Sequence, residues 1–411
     1  MVLDPATRLI PFDPLAPGQR ADPYPVLAQA RREQPVFYAP ALGLWVVTRH
    51  EDVLAVLKDH RAFSSVGALR SSSAELPPQA VDVLAGGCPE MPIIVDTDPP
   101  LHTRIRGLVT KAFTPRRVAE MEPRIEATAG ALLDELVPEG RADIVERFAW
   151  PLPLRTIGDL LGVPRADLPR LHGWSRNWLT LFQDAPLDEQ MAHAHGFVEL
   201  QRYFVAALEE RERQPTDDLM SALLEARGAG GGELGIVEVA GVPLDLIVAG
   251  HVTVTRAIGS ALVLLLDHPD ELAALRADPD RIPAAVEEIL RLESPAQGLF
   301  RETTREVTLD GTTLPAGARV MVHFGSANRD EDVFTRAACF DPGRGDLGSH
   351  VAFGKGIHFC IGAPLARIEL RVALRLLLER LPNLRRAGGV EYDPIFFARG
   401  LARLDVEWDP A

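Results

Sequence analysis

The sequence predicts a mostly α-helical fold with a small β component, and three observations predict it. Helical patterning with proline and glycine breaks runs from about Val118 to Arg227. A long apolar stretch from about Leu234 to Asp267 continues it as one extended helix. Short alternating runs, Val36-Phe-Tyr38, Leu44-Trp-Val-Val-Thr48 and several between Phe300 and Phe324, read as strands.

The elements follow in order. Residues 1–25 are rich in proline and charge and are expected to wrap the surface. A helix is expected from Asp22-Pro-Tyr-Pro25 to about Gln34, then a hairpin turning at Ala39-Pro-Ala-Leu-Gly43, then a helix from His50 to about Asp59. Residues 60–95, with Ser71-Ser-Ser73, Pro77-Pro78 and Gly86-Gly87, read as a mobile connection. A helix opens after Pro99-Pro100, and further helices are expected over Ile125–Leu133, Leu152–Leu161 and Asp188–Arg211, with a loop at 174–186. Arg281 to Arg291 is helical with a proline in its first turn. Beyond Pro295, strands joined by Asp310-Gly311 and Pro315-Ala-Gly317 turns lead to a last strand at Val320–Phe324. The final helix is expected from Leu365 to about Leu381.

Composition narrows the function. With 43 Lys and Arg against 58 Asp and Glu the net charge is −15, which argues against non-specific nucleic-acid binding. Three cysteines, Cys88, Cys339 and Cys360, make no disulfide framework and suit a reducing cytoplasm. The first twenty residues lack the apolar run of a signal peptide. The stretch Val242–Leu266 is interrupted by Pro243, Asp245, His251 and Arg256, and reads as a buried helix rather than a membrane span.

The chemistry centres on Phe353-Gly-Lys-Gly-Ile-His-Phe-Cys360-Ile-Gly362. A glycine-rich run brings a lone cysteine to the start of a helix, where unpaired N–H groups and the helix dipole favour a thiolate. Gly354, Gly356 and Gly362 are expected to adopt unusual dihedrals and let a flat group approach the backbone. Taken alone, Cys360 reads better as an ordinary buried cysteine beside a glycine turn.

Filled as Phe353, Gly354, Gly356, His358, Cys360 and Gly362, this run resembles the haem-binding loop of the cytochrome P450 superfamily. The resemblance extends from Asp22 to Trp408, with five separated motifs in the family's order. It implies a single cytochrome P450 domain over 1–411, with a β-rich lobe at about 22–60, 300–325 and 385–411 and a helical lobe for the rest. It implies haem b between the long helix and the cysteine loop, with Cys360 as the iron ligand. It also implies that His102, Arg106, Arg301 and His358 contact the haem propionates, with His350 near the same edge. Glu288, Arg291 and Arg344 would form a buried structural cluster holding the loop. The segment 60–95 would cover the substrate pocket, with 174–186 as a lid.

Ala249-Gly250-His251-Val252-Thr253 resembles the family's oxygen-binding helix, which implies that Gly250 leaves room beside the haem and that Thr253 organises distal water. Here the sequence departs from the family pattern. The acidic position before the threonine holds Val252, and the nearest acid upstream on the helix is Asp245. General acid catalysis leads one to expect a carboxylate that relays protons to the reacting oxygen. His251 stands one residue off the required face and reads as a packing residue. Ala249, Val252, Phe182, Leu299, Phe396 and Phe397 are candidates for the substrate pocket, with core packing the alternative for the phenylalanines. Arg256 pairs either with an anionic substrate or with another helix.

The implied activity is insertion of one oxygen atom from O2 into a small organic substrate, by hydroxylation, dealkylation or a related oxidation. Electrons would come from a separate ferredoxin and ferredoxin reductase. The basic cluster Lys111, Arg116 and Arg117 is either a docking site for that acidic donor or a solvated helix end. Val252 leaves open a peroxide-using enzyme, or a haem-binding recruitment module without turnover.

Overall fold

The computed structural model describes residues 10–69, 76–181, 185–228, 234–395 and 397–410. The chain divides into two compact units, Met1–Ser73 with Glu287–Cys360 and Tyr392–Gly400, and Ala74–Val286 with Ile361–Glu391 and Leu401–Ala411.

The first unit is built on a five-stranded sheet in the order Val36–Ala39, Leu44–Val47, Arg319–Val322, Leu299–Thr303, Phe63–Ser64. The expected hairpin pairs Val36 with Val47 and Ala39 with Leu44, and Gly43 supplies the positive φ of its turn. Leu44–Val47 then runs parallel to Arg319–Val322, setting Trp45 beside Val320. Val36, Trp45, Val47, Val53, Phe63, Val320 and Phe324 share one core, which the helix His50–Lys58 covers. The hairpin Val307–Leu309 to Thr312–Leu314 turns on Asp310 and Gly311, both at positive φ, as an Asp-Gly pair between strands predicts.

The second unit is helical. The long helix, Ile236–Asp267, packs on Pro151–Leu161, on Leu187–Arg213 and on Ala363–Arg380. Its length and mean hydropathy of 1.6 would allow a membrane span, but 72% of that window is buried inside the protein, as a core helix requires. Pro243 lies near its start, and Glu238 accepts from the Gly235 N–H at its N-terminus. Ala363–Arg380 lies along Glu122–Leu136, and a ladder of ion pairs ties them, Arg371 to Glu122, Arg375 to Glu126 and Arg380 to Asp134. Arg141–Asp143, Leu401–Glu407 and Arg385–Tyr392 form a three-stranded sheet, so most of the expected β segment 385–411 belongs here rather than with the first unit.

Two expectations are corrected. The segment 60–95 carries the strand Phe63–Ser64 and the helix Pro78–Ala85, which packs on Leu187–Arg213 around Ala80, Leu181 and Ala194. The expected loop at 174–186 begins inside a helix, Leu168–Thr180, in which Leu168, Leu171, Ser175 and Trp178 form the buried stripe. Pro169 sits in its first turn, where a missing N–H costs nothing.

Candidate active site

In the first unit the backbone of 353–360 folds back on itself. The Cys360 N–H donates to the Phe353 carbonyl at 2.9 Å, and the Gly354 N–H to the Val351 carbonyl at 2.9 Å. Gly354 and Gly356 have φ of 67° and 72°, the left-handed region. Gly356 is doubly constrained, because a Cβ there would lie 2.2 Å from the Leu57 carbonyl oxygen. Gly362 differs from expectation. Its φ of −79° is ordinary, and it serves as the N-cap of Ala363–Arg380. Cys360 is half-buried, and the Phe353 ring lies near those of His350 and Phe359.

Behind the loop, Glu288 and Arg291 are fully buried. Arg291 spends all its donors: Nε and Nη2 on the two Glu288 oxygens at 2.7 and 2.8 Å, and the rest on the carbonyls of Asn328, Ala337 and Cys339. Arg344 joins from its own loop, donating to Glu288 Oε1 at 3.0 Å and to the Thr335 and Cys339 carbonyls. Two guanidinium groups and the Asp341 N–H thus surround one carboxylate, which is what a buried charge requires.

The propionate candidates divide between the units. In the first, His358 shares a 2.9 Å hydrogen bond with Ser65, and the buried Arg301 donates to the Phe300 carbonyl at 2.7 Å. In the second, His102 is buried and Arg106 half-buried on the helix Leu101–Ala112, one turn apart. His350 is differently engaged. Its Nδ1 accepts from the Ala352 N–H, so Nε2 carries the proton and donates to Glu287 at 3.0 Å.

On the long helix, the Thr253 hydroxyl donates to the Ala249 carbonyl at 2.9 Å. Ala249 is exposed, whereas Val252 is buried. Gly250 does not face open space. A Cβ on it would meet Ile157 at 3.1 Å, so its bareness admits the helix Pro151–Leu161. His251 packs against Trp150 and His172, with its Nδ1 on the Ile247 carbonyl. Burial pushes its pKa down to about 3 and holds it neutral, as a packing residue. Arg256 and Thr255 are buried further along. Leu299 is half-buried on the central sheet of the first unit, and Phe397 is buried edge-on to Phe300. Phe182 and Phe396 lie outside the described residues.

The sequence matches the Cytochrome P450 family over residues 176–382. It is 40% identical over 397 residues to the cytochrome P450 monooxygenase PikC of Streptomyces venezuelae, covering 94% of this chain and 91% of that one. It is 38% identical to the 6-deoxyerythronolide B hydroxylase of Saccharopolyspora erythraea, over 95% of each chain. The chain is a cytochrome P450. Among solved structures, CYP109Q5 from Chondromyces apiculatus superposes with a TM-score of 0.88 at 38% identity, over 97% of this chain and 98% of that one. P450BioI, solved with an acyl carrier protein bearing hexadec-9Z-enoic acid, superposes at 0.85 with 32% identity, over 95% and 99%.

As a P450 it is a monooxygenase that binds haem b. The donor set fits that group. Among the described residues no cluster of three or more His, Cys, Asp and Glu exists to hold a bare metal ion, whereas haem iron needs one thiolate from the protein. Cys360 is half-buried at the end of the loop, with its N–H donated to the Phe353 carbonyl.

One buried acid, Glu369, escaped the sequence reading, and so did the surroundings of another, Asp245. Glu369 is buried on Ala363–Arg380 with Oε2 lacking a hydrogen-bond partner, and burial raises its pKa well above the usual range. The signal was present, since Glu369 interrupts the apolar stripe of Leu365 and Val372. Asp245 is buried on the long helix, against the turn Ile94–Asp96. Nothing in the sequence pointed to those partners.

Proposed function

We propose that this P450 inserts one atom of O2 into a C–H bond of a small organic molecule, the other atom leaving as water, with two electrons from a ferredoxin and its reductase and two protons from solvent. The observation that carries the reading is the Cys360 loop, tied through Phe353 and backed by the Glu288–Arg291–Arg344 cluster. Bound haem supplies the activation of dioxygen, and a thiolate ligand favours O–O cleavage.

The chain's own residues divide the remaining work. Cys360 ligates the iron, while His102, Arg106, Arg301 and His358 hold the propionates. Phe353 packs beside the loop, and Gly354 and Gly356 let its backbone turn. Thr253 holds a water on the oxygen side by exchanging its bond to the Ala249 carbonyl. Ala249 is exposed on the same helix and faces the substrate. Residues 86–96 form another part of that wall.

The names of the relatives, PikC, 6-deoxyerythronolide B hydroxylase and mycinamicin IV hydroxylase/epoxidase, favour a substrate from secondary metabolism. For the electron donor we infer an acidic protein docking near Lys111, where Arg116 and Arg117 are already offset by Glu120 and Asp217. A cytoplasmic enzyme suits the three free cysteines.

A second reading rests on Val252, buried where the family has an acid. Hydrogen peroxide brings its own protons and electrons and would bypass the missing relay. Turnover assays separate the two. Product formation coupled to NADH through a ferredoxin, with little peroxide released, supports the first. Turnover with peroxide alone, and poor coupling with ferredoxin, supports the second.

A further inference from the structure

Residues 86–96, Gly-Gly-Cys-Pro-Glu-Met-Pro-Ile-Ile-Val-Asp, have neither helical nor strand periodicity and carry two prolines. Such a stretch should be mobile, yet it is tied at both ends. At its start, the buried Gln201 of Leu187–Arg213 accepts the Cys88 N–H at 3.0 Å and donates to the Cys88 carbonyl at 3.0 Å. Arg202 adds a bond to the Gly86 carbonyl at 2.9 Å. Gly87 must be bare, because a Cβ there would lie 2.4 Å from Gln201 Oε1.

At its end the strap lies on the long helix. A Cβ on Gly241 would come 1.9 Å from the Pro92 carbonyl oxygen, so only glycine admits the strap at that turn. A glycine inside a helix is unfavourable relative to alanine, and here the close approach requires it. One turn further, on the same face, the turn Ile94–Asp96 packs on the long helix, and the Ile94 and Val95 amides act on the buried Asp245 carboxyl. Asp245 as a residue is only 6% exposed.

We propose that Asp245 is a positioning residue, fastening the 86–96 strap to the long helix and so setting the wall against which substrate is held. The wall role rests on the monooxygenase reading above, whereas the fastening does not.

The chemistry of the anchor makes it testable. The influences on Asp245 are burial, the nearby Asp96 of the strap and the two amides, and the net effect raises its pKa to about 7. A carboxyl whose pKa is raised while the strap is closed binds its proton more tightly closed than open. The closed strap is therefore favoured below about 7 and loosened as the pH rises through that value, by up to about tenfold per pH unit.

Hydrogen–deuterium exchange of the haem-loaded protein, read in peptides covering 86–97 and corrected for the intrinsic pH dependence of exchange, tests this. In the wild type, protection at 93–96 should fall between pH 6 and 8.5. Asp245→Asn, neutral throughout, should hold protection flat and exceed the wild type at pH 8.5. Asp245→Ala should lose about tenfold or more at pH 6, the loss of hydrogen bonds to one group. Protection that is flat with pH in the wild type, or unchanged in Asp245→Ala, overturns the anchor. If Asp245→Ala does not fold, the wild-type and Asp245→Asn profiles decide alone.

The wall is tested with imidazole and 4-phenylimidazole, followed by haem absorbance. Asp245→Asn should change the affinity for 4-phenylimidazole at pH 8.5 several-fold while leaving imidazole unchanged. Equal response to both overturns the positioning role. That result would leave the monooxygenase reading standing, since redox-coupled turnover decides it separately.

Discussion

Arg291 meets Glu288 through two bonds of 2.7 and 2.8 Å, with both side chains fully withdrawn from solvent. Removing one partner of such a pair leaves a buried charge uncompensated, at a cost of about 3–5 kcal/mol. Arg291→Ala should therefore lose most of its stability and retain little haem. Arg291→Lys should do little better, because an ammonium cannot serve the carboxylate and three carbonyls at once. Denaturant midpoints and haem content check both, and a stable, haem-replete Arg291→Lys would contradict this role.

Two glycines of the loop separate strain from collision. Gly354→Ala has room, its nearest atom being the His358 carbonyl oxygen at 3.9 Å, so it pays only the left-handed conformation, about 1–2 kcal/mol. Gly356→Ala adds a collision with the Leu57 carbonyl at 2.2 Å and must displace backbone. Thermal unfolding should show Gly356→Ala as clearly the worse of the two.

Burial of neutral histidines makes the protein acid-sensitive. His251 and His323 are both pushed down to about 3, chiefly by desolvation, against 6.5 in the unfolded chain. The unfolded state binds more protons between those values, so the stability is present above 6.5 and lost as the pH falls. Each group loses about 1.4 kcal/mol per pH unit, or about 2 kcal/mol by pH 5. His251→Gln should flatten the fall in unfolding free energy between pH 6.5 and 5 by that amount.

Glu369 has the opposite sign. Its raised pKa means that the folded state holds a proton the unfolded state releases. Its contribution is present below the ordinary glutamate value of 4.5 and is lost as the pH rises through the folded value. Glu369→Gln should remove that decline, so that its unfolding midpoint gains on the wild type steadily toward pH 8. A difference that does not change with pH would contradict a neutral Glu369.

Val252→Asp places a carboxyl one residue before Thr253 on the long helix. Well-placed general acids contribute about 10²–10⁴-fold, so even partial placement should raise the fraction of electrons recovered in product. Unchanged coupling and rate would mean that protons reach the oxygen by a route independent of this position.

The sequence disclosed what local rules govern. The Asp310-Gly311 hairpin, the long apolar helix and the Cys360 loop were legible because turn chemistry, periodicity and motif each sit within a short span. The helix Pro78–Ala85 was missed because eight residues between prolines and glycines carry too little periodicity. The helix through Trp174 and Trp178 was hidden by aromatics and prolines that also suit a loop. At Gly250 the place of a side chain is taken by Ile157, from a segment far away in sequence that the motif does not include. Gln201 with Cys88, and Asp245 with Ile94 and Val95, depend on contacts more than a hundred residues apart, beyond any local pattern.

The central claim is that Cys360 ligates haem iron through its thiolate. The absorption spectrum of the reduced, CO-bound protein tests it most directly. The wild type should show the long-wavelength Soret band of thiolate-ligated iron, and Cys360→Ser should bind haem without that band. A Cys360→Ser variant that kept the band, or a wild type that lacked it when reduced with CO, would contradict the claim.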